Sequence, residues 1–202
     1  MPSLLRRLAV VAILAAPPAQ AQRVAAAPDS LKWPTGTFSI VAMDRTTGEM
    51  GAAVQSRVFS VGNGVLWAES AVGVAATQAI VDVSYGPQAL ELLRKGLPAA
   101  EVVRQVLAND TDPDSVRWSK QGRQFAVLDA NGNIVTHTGP KATTWAGGKV
   151  CAMPHTCAAQ GNILAGPGVV DSMVARFERT EGPLRLRLRS EEHTSELQSQ
   201  ST

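Results

Sequence analysis

Thr37 follows Gly36 at the point where an Ala- and Pro-containing leader gives way to the β-prone run Phe38-Ser39-Ile40-Val41-Ala42-Met43. If the Gly36–Thr37 bond were cut, one residue would carry both a hydroxyl and a free α-amine. Such an amine, with a pKa of roughly 7.7–8.0, can serve as base for its own side chain. The chemistry on offer is nucleophilic attack on an amide carbonyl. The same residue also reads as an ordinary β-branched strand start after a turn glycine, and nothing in the sequence shows cleavage at Gly36.

Other residues carry polar chemistry with an equally plain structural alternative. Gln160-Gly161-Asn162 sets two amides around a glycine, able to read a polar ligand through paired hydrogen bonds or to bond local backbone in a loop. His137 lies in an otherwise apolar strand, where it could be a general base or substrate contact, or a satisfied core histidine. Tyr85-Gly86-Pro87 could close a pocket or simply start a helix. Cys151 and Cys157 are the only cysteines. In an exported protein the leading reading is a disulfide closing the loop between them. A zinc site with His155 would have three ligands and lacks the usual spacing, and a free catalytic cysteine fits an oxidising compartment poorly. No cofactor and no metal are expected.

The elements that must position these groups follow from pattern. Thr37 to Met43, the turn chemistry of Asp44 to Gly48, and Gly51 to Gln55 predict a β-hairpin. Asn63-Gly64 predicts a second hairpin turn between Val58–Gly62 and Val65–Ala68. The small-residue run 71–78 predicts a strand that lets a neighbouring layer approach closely. Leu90, Leu93 and Leu97 mark a helix opening at Tyr85, and Pro98 opens a second one running to Leu107. Gln124–Asp129 and Ile134–Gly139 predict a hairpin about Ala130-Asn131-Gly132-Asn133. Gly168 to Phe177 predicts a further helix, with Val169, Val170, Met173 and Phe177 on its apolar side. Strands in runs with segregated helices point to an α+β layered fold rather than alternating βαβ units.

Composition narrows the function. A formal net charge of +2 argues against a nucleic-acid footprint, and 4% aromatic residues with one tyrosine argue against stacking platforms. Residues 1–21 have the three regions of a signal peptide: Arg6 and Arg7, the apolar Leu8–Ala16, and Ala19-Gln20-Ala21. That apolar run falls well short of the roughly 20 residues a membrane-spanning helix needs. The expected location is therefore exported, periplasmic or extracellular. Residues 22–36 read as an extended leader, a propeptide if Thr37 is released, and residues 37–183 as one domain.

Several motifs occur in order: Thr37-Phe38-Ser39-Ile40-Val41-Ala42, Gln55 through Gly62, Ala76-Thr77-Gln78-Ala79, Ser84-Tyr85-Gly86-Pro87, His137-Thr138-Gly139, and Gln160 through Gly166. Together they resemble domain of unknown function 1028, a family that resembles the N-terminal-nucleophile hydrolases in fold. The resemblance implies a four-layer αββα sandwich over roughly Thr37 to Pro183. It implies Thr37 as nucleophile, with Ser56 and Arg57 in the place of the polar and basic pair beside it. It also implies oxyanion donors near Thr77 and Gln78. Substrate contacts are then expected from Thr77, Gln78, Tyr85, His137, Gln160 and Asn162.

Beyond Pro183 the sequence changes character. Leu and Arg alternate from Leu184 to Arg189, and the polar stretch from Arg189 looks like the translation of a sequencing adapter. Residues 184–202 are accordingly expected to be an unstructured, non-native tail. The domain is expected to be incomplete, because the family usually continues with another helix and a strand hairpin. Two functional classes follow. One is an exported amidohydrolase acting on a small-molecule or peptide-like amide. The other is a non-catalytic envelope-associated binding domain on the same scaffold. Neither binds nucleic acid or spans a membrane, and a homo-oligomer is compatible with both.

Overall fold

Strand β1 (Thr37–Met43) is apolar on both faces because it lies between two layers. Its alternate residues Ile40 and Ala42 join a cluster with Val169, Val170, Met173 and Phe177. Val41 and Met43 point the other way, among Val74, Ala76, Ala126 and Leu128. A strand covered twice has no polar alternation to show, and this one shows none beyond Ser39. The computed structural model describes residues 36–143 and 145–189, all within one unit spanning Pro34–Thr202. The predicted signal peptide, the leader up to Pro34-Thr35, and the tail from Ser190 lie outside the described residues.

Two four-stranded sheets form the centre, with antiparallel pairings. In the first, β1 sits between β2 (Met50–Gln55) and β8 (Thr156–Asn162), and β7 (Gly147–Val150) lies at the far edge. The second runs β3 (Leu66–Glu69), β4 (Gly73–Ala79), β5 (Arg123–Asp129), β6 (Ile134–Thr138). Helix α4 (Pro167–Arg179) covers the first sheet, and α2 (Tyr85–Arg94) with α3 (Ala99–Asn109) covers the second. The result is an α+β sandwich in the layer order αββα. The small residues of β4 permit this packing: a Cβ on Gly73 would come within 2.4 Å of Leu128 O and 2.8 Å of Leu93 Cδ1.

The helices form where apolar residues recur at helical spacing. Tyr85, Ala89, Leu90 and Leu93 are buried on α2; Ala99, Val102, Val103 and Val106 are buried on α3. Each large apolar side chain so removed from water contributes about 1.5–3 kcal/mol. The first turn of α3 finds its acceptor across the chain, with Ala99 N donating to Asp129 Oδ2 at 3.1 Å. Gly86 is required for α2 to meet β3, since a Cβ there would lie 2.1 Å from Trp67 Cγ.

Three local expectations are corrected. Asn63-Gly64 does not turn a hairpin: Gly62–Val65 is a one-turn helix, α1. The flanking strands β2 and β3 belong to different sheets, so the chain must cross between layers there, and local pairing is not available. Gln160-Gly161-Asn162 is not a loop but the end of β8, fully paired with β1. Residues 184–189 are helical rather than unstructured, with Leu184 and Leu188 buried against α4 and Ile40. Their Leu spacing of four is a helical face, and Arg187 packs over the Phe177 ring at 4.1 Å. Cys151 and Cys157 form a disulfide that closes the β7–β8 loop, with Cα atoms 5.1 Å apart.

Candidate active site at the open end of the sandwich

Strand register brings the start of β1 and the ends of β2, β4 and β8 to one end of the molecule. Thr37 pairs with Asn162, Phe38 with Gln55 and Ser39 with Gln160. Period-two alternation then turns Thr37 and Ser39 toward the second sheet. The Thr37 hydroxyl meets that of Ser56, Oγ1 to Oγ 2.9 Å, just past the end of β2. Arg57 follows on the exposed side of the same loop.

Below Thr37 lies a buried network of neutral groups. Ser39 Oγ donates to Gln78 Oε1 at 2.7 Å, and Gln78 Nε2 donates to Gln124 Oε1 at 2.7 Å. Gln124 Nε2 donates in turn to Thr138 Oγ1 and Gly161 O, both at 2.9 Å. Gln160 Nε2 donates to Ala76 O at 3.1 Å, and its Oε1 accepts from Thr136 Oγ1 at 2.9 Å. The Thr37 carbonyl is held from two sides, by Gln78 Nε2 at 3.3 Å and Asn162 Nδ2 at 3.4 Å. Ser39, Gln78, Gln124, Gln160 and Asn162 are all at most 3% exposed. Buried amides are tolerated only when so engaged, and once engaged they fix one geometry. The geometry they fix is that of the Thr37 backbone.

The backbone at this end is also unusual. Gly36 is pressed so closely onto β8 that a Cβ would overlap Asn162 O and come within 2.8 Å of Ile163 O. Ser60, Ala79 and Ile163 take positive φ of 56°, 67° and 55°. For a β-branched residue such as Ile163 this is a true outlier, and such residues concentrate at functional sites. Ala79 directly follows Gln78, and Ile163 directly follows Asn162, the two residues that hold the Thr37 carbonyl.

Of the residues singled out in the sequence, Thr37, Ser56, Gln78, Gln160 and Asn162 come together here. Thr77, Tyr85 and His137 do not: Thr77 and His137 face the helices on the other side of the second sheet, and Tyr85 lies on α2 itself. Thr77 Oγ1 donates to Asp82 O at 3.4 Å. Tyr85 is fully buried, edge-on to Phe125 with centroids 5.2 Å apart, and its hydroxyl donates to Asp110 Oδ2 at 2.7 Å. Burial first, and then the hydrogen bond to Asp110 and its charge, push the Tyr85 phenol well above its ordinary value. Burial works to raise Asp110 as well, but hydrogen bonds from Tyr85 and Arg123 outweigh it and hold the carboxyl low. His137 pairs with Phe125 on the same face, and burial lowers its pKa.

Gln124, Ser39 and Thr136 belong to the network but were not among the sequence candidates. The signal for Gln124 was present: in Gln124-Phe125-Ala126-Val127-Leu128 the period of two aligns it with Ala126 and Leu128, which face the other sheet.

The architecture defines an α+β sandwich whose first strand begins with a hydroxyl residue anchored between two buried amides. A family model described as Family of unknown function (DUF1028) matches residues 37–190, and the chain belongs to that family. The fold also matches a crystal structure of protein SPO2555 from Silicibacter pomeroyi, a DUF1028 protein, with a TM-score of 0.72. The two are 28% identical, over 81% of this chain and 68% of that one. Among curated proteins, none matches the sequence.

Proposed function

We propose that the protein is an exported amidohydrolase whose nucleophile is Thr37, acting on a small or peptide-like amide. The observation that carries this reading is the Thr37 hydroxyl, 2.9 Å from Ser56 Oγ, on a residue whose carbonyl is fixed by Gln78 and Asn162. Among the described residues the groups bonded to Thr37 are hydroxyls and amides, and the base in this mechanism is the residue's own amine. Release of Gly36 supplies it. The freed Thr37 amine takes the hydroxyl proton, and Oγ1 adds to the amide carbon. Collapse expels the amine, which leaves with that proton. Water then hydrolyses the resulting ester, regenerating the threonine and freeing the carboxylic acid. Ser56 orients the attacking oxygen, and Arg57 on the adjoining loop favours the unprotonated amine by its charge. Export accords with the N-terminal signal pattern and with the Cys151–Cys157 disulfide. No helix among the described residues is long and apolar enough to cross a membrane.

Intact mass of the secreted full chain tests the reading. The hydrolase begins at Thr37; a non-catalytic binding domain on this scaffold begins at Gln22. A processed protein that turns over an amide panel, loses turnover as Thr37→Ala and keeps part of it as Thr37→Ser supports the assignment. A mature, active protein still peptide-bonded at residue 37 removes the mechanism.

A further inference from the structure

Two loops lead away from the contacts of Thr37, one from Ser56 and one from Gln78, and both expose apolar side chains. On the loop after β2, Val58 is 64% and Phe59 97% exposed; on the loop after β4, Val81 is 46% and Val83 53% exposed. The first is joined directly to the reactive pair, since Val58 N donates to Ser56 Oγ at 3.2 Å. The second begins at Ala79, next to Gln78. The second loop reaches α1, the helix that continues the first: a Cβ on Gly64 would lie 3.7 Å from Val83 Cγ1. Within residues 56–61 and 80–84 the charged residues are Arg57 and Asp82. Asp82 is turned inward, accepting from Ser84 N at 2.9 Å and facing Arg123 at 3.8 Å. Exposed residues of this size are normally scattered singly, and four of them on two loops that lead from one polar site point to a ligand surface.

We infer that the substrate amide carries an uncharged apolar arm, which lies across Val58, Phe59, Val81 and Val83 while its carbonyl faces Thr37. The inference rests on the hydrolase reading for the position of the carbonyl, but the apolar contact is measurable without turnover. Burying an arm on this surface strengthens binding up to about 4-fold per methylene, the equivalent of roughly 0.8 kcal/mol. An arm on the acyl side and one on the amine side would use the same surface chemistry.

Two chain-length series of sulfonamides, uncleavable stand-ins for amides, separate those cases. Alkanesulfonamides extend the acyl side, and N-alkyl methanesulfonamides extend the amine side. Titrated calorimetrically into the secreted wild-type protein, one series is expected to tighten 2–4-fold per methylene from two to eight carbons. The slope is expected to flatten in Phe59→Ser and in Val58→Ser/Val83→Ser, whose exposed positions leave the fold intact. Flat affinity in both series overturns the inference, as does a slope unchanged in all these variants. So does sedimentation showing a wild-type dimer that Phe59→Ser converts to monomer without a chain-length effect, because the patch would then be a self-contact. Turnover of the matching carboxamides reports separately on the hydrolase: a binding slope with no cleavage keeps the apolar-arm site and discards the threonine nucleophile.

Discussion

Arg123 and Gln124 are neighbours on β5, yet they anchor two different buried polar clusters on opposite faces of the second sheet. Toward the helices, Arg123 Nε donates to Asp110 Oδ2 at 2.9 Å, Nη1 donates to Ile80 O at 2.8 Å, and Tyr85 shares the same Asp110 oxygen. Toward the first sheet, Gln124 binds Gln78, Asn162, Thr138 and the Gly161 carbonyl. The first cluster is charged and sealed, with side-chain exposures of 5% for Arg123 and 1% for Asp110. The second is neutral and ends at Thr37. A buried ion pair is costly to break and can hold a loop rigidly, here the one running from Ile80 to Ser84. A neutral network imposes geometry without placing a fixed charge beside Thr37, so it would perturb an amine released there only slightly. One cluster serves stability and the other serves orientation.

The contrast is most easily broken at Asp110. Asp110→Ala leaves Arg123 buried without its partner, with Asp82 3.8 Å away as a weak substitute. A loss of about 3–5 kcal/mol is expected, read from chemical denaturation. The wild-type contribution is also pH-dependent in a defined direction. Because the folded carboxyl is held low, its stabilisation is complete above roughly pH 4 and disappears as pH falls through the folded value. A loss below 1 kcal/mol would mean that the charged cluster does not carry the stability assigned to it.

Gln124→Leu comes next. It strands Gln78 Nε2, Thr138 Oγ1 and Gly161 O in a dry layer, which costs about 1–3 kcal/mol. Unlike Asp110→Ala, it removes no acid-dependent contribution to stability. It also removes an acceptor shared by Gln78 and Asn162, so the Thr37 carbonyl loses its fixed support. Retained turnover in Gln124→Leu at full occupancy of substrate would separate the amide network from the chemistry.

The layers of this fold were legible because each obeys one period. The β1 run, the leucine spacing of α2, Pro98 at the opening of α3, and the Ala130–Asn133 turn all lead to the elements observed. What the sequence concealed is pairing between distant segments. Gln160 and Asn162 read as loop amides because β8 has no alternation and, after Thr156, no β-branched residue, and only its position between β1 and β7 makes it a strand. Tyr85 and His137 look chemically promising from residue type alone. Which face of β6 His137 occupies depends on the register with Phe125, and that register is set across the sheet rather than along the chain. Leu184 and Leu188 were hidden by the polar composition around them.

His137 gives a smaller pH effect of the same sign as that of Asp110, in a higher pH window. Burial lowers its pKa, so the folded state resists protonation while the unfolded chain, near 6.5, accepts it. Between the two values the unfolded state binds more protons, so stability rises with pH and falls on acidification through about 6.5. His137→Gln is expected to remove that slope while leaving the midpoint at pH 8 nearly unchanged. Comparison of urea midpoints at pH 5.5 and 8 checks it. A slope that persists in the variant assigns the titration to another group.

The smallest effect probes the strain at the open end. Ala79 holds φ at 67°, a conformation that costs an L-residue about 1–2 kcal/mol, whereas glycine adopts it freely. Glycine also loses about 0.5–1 kcal/mol more conformational freedom on folding. Ala79→Gly should therefore gain only about 0.5 kcal/mol, visible as a small rise in denaturation midpoint. Its interest lies in what accompanies the gain. The residue before it, Gln78, supports the Thr37 carbonyl, and the segment after it is clamped through Ile80 O by Arg123. If strain at Ala79 sets the angle of Gln78, the more stable variant turns over amide more slowly, with KM less affected than kcat. If both stability and turnover rise, the positive φ is a by-product of ending β4 under the Arg123 clamp, and the charged cluster shapes this end of the molecule more than the neutral one does.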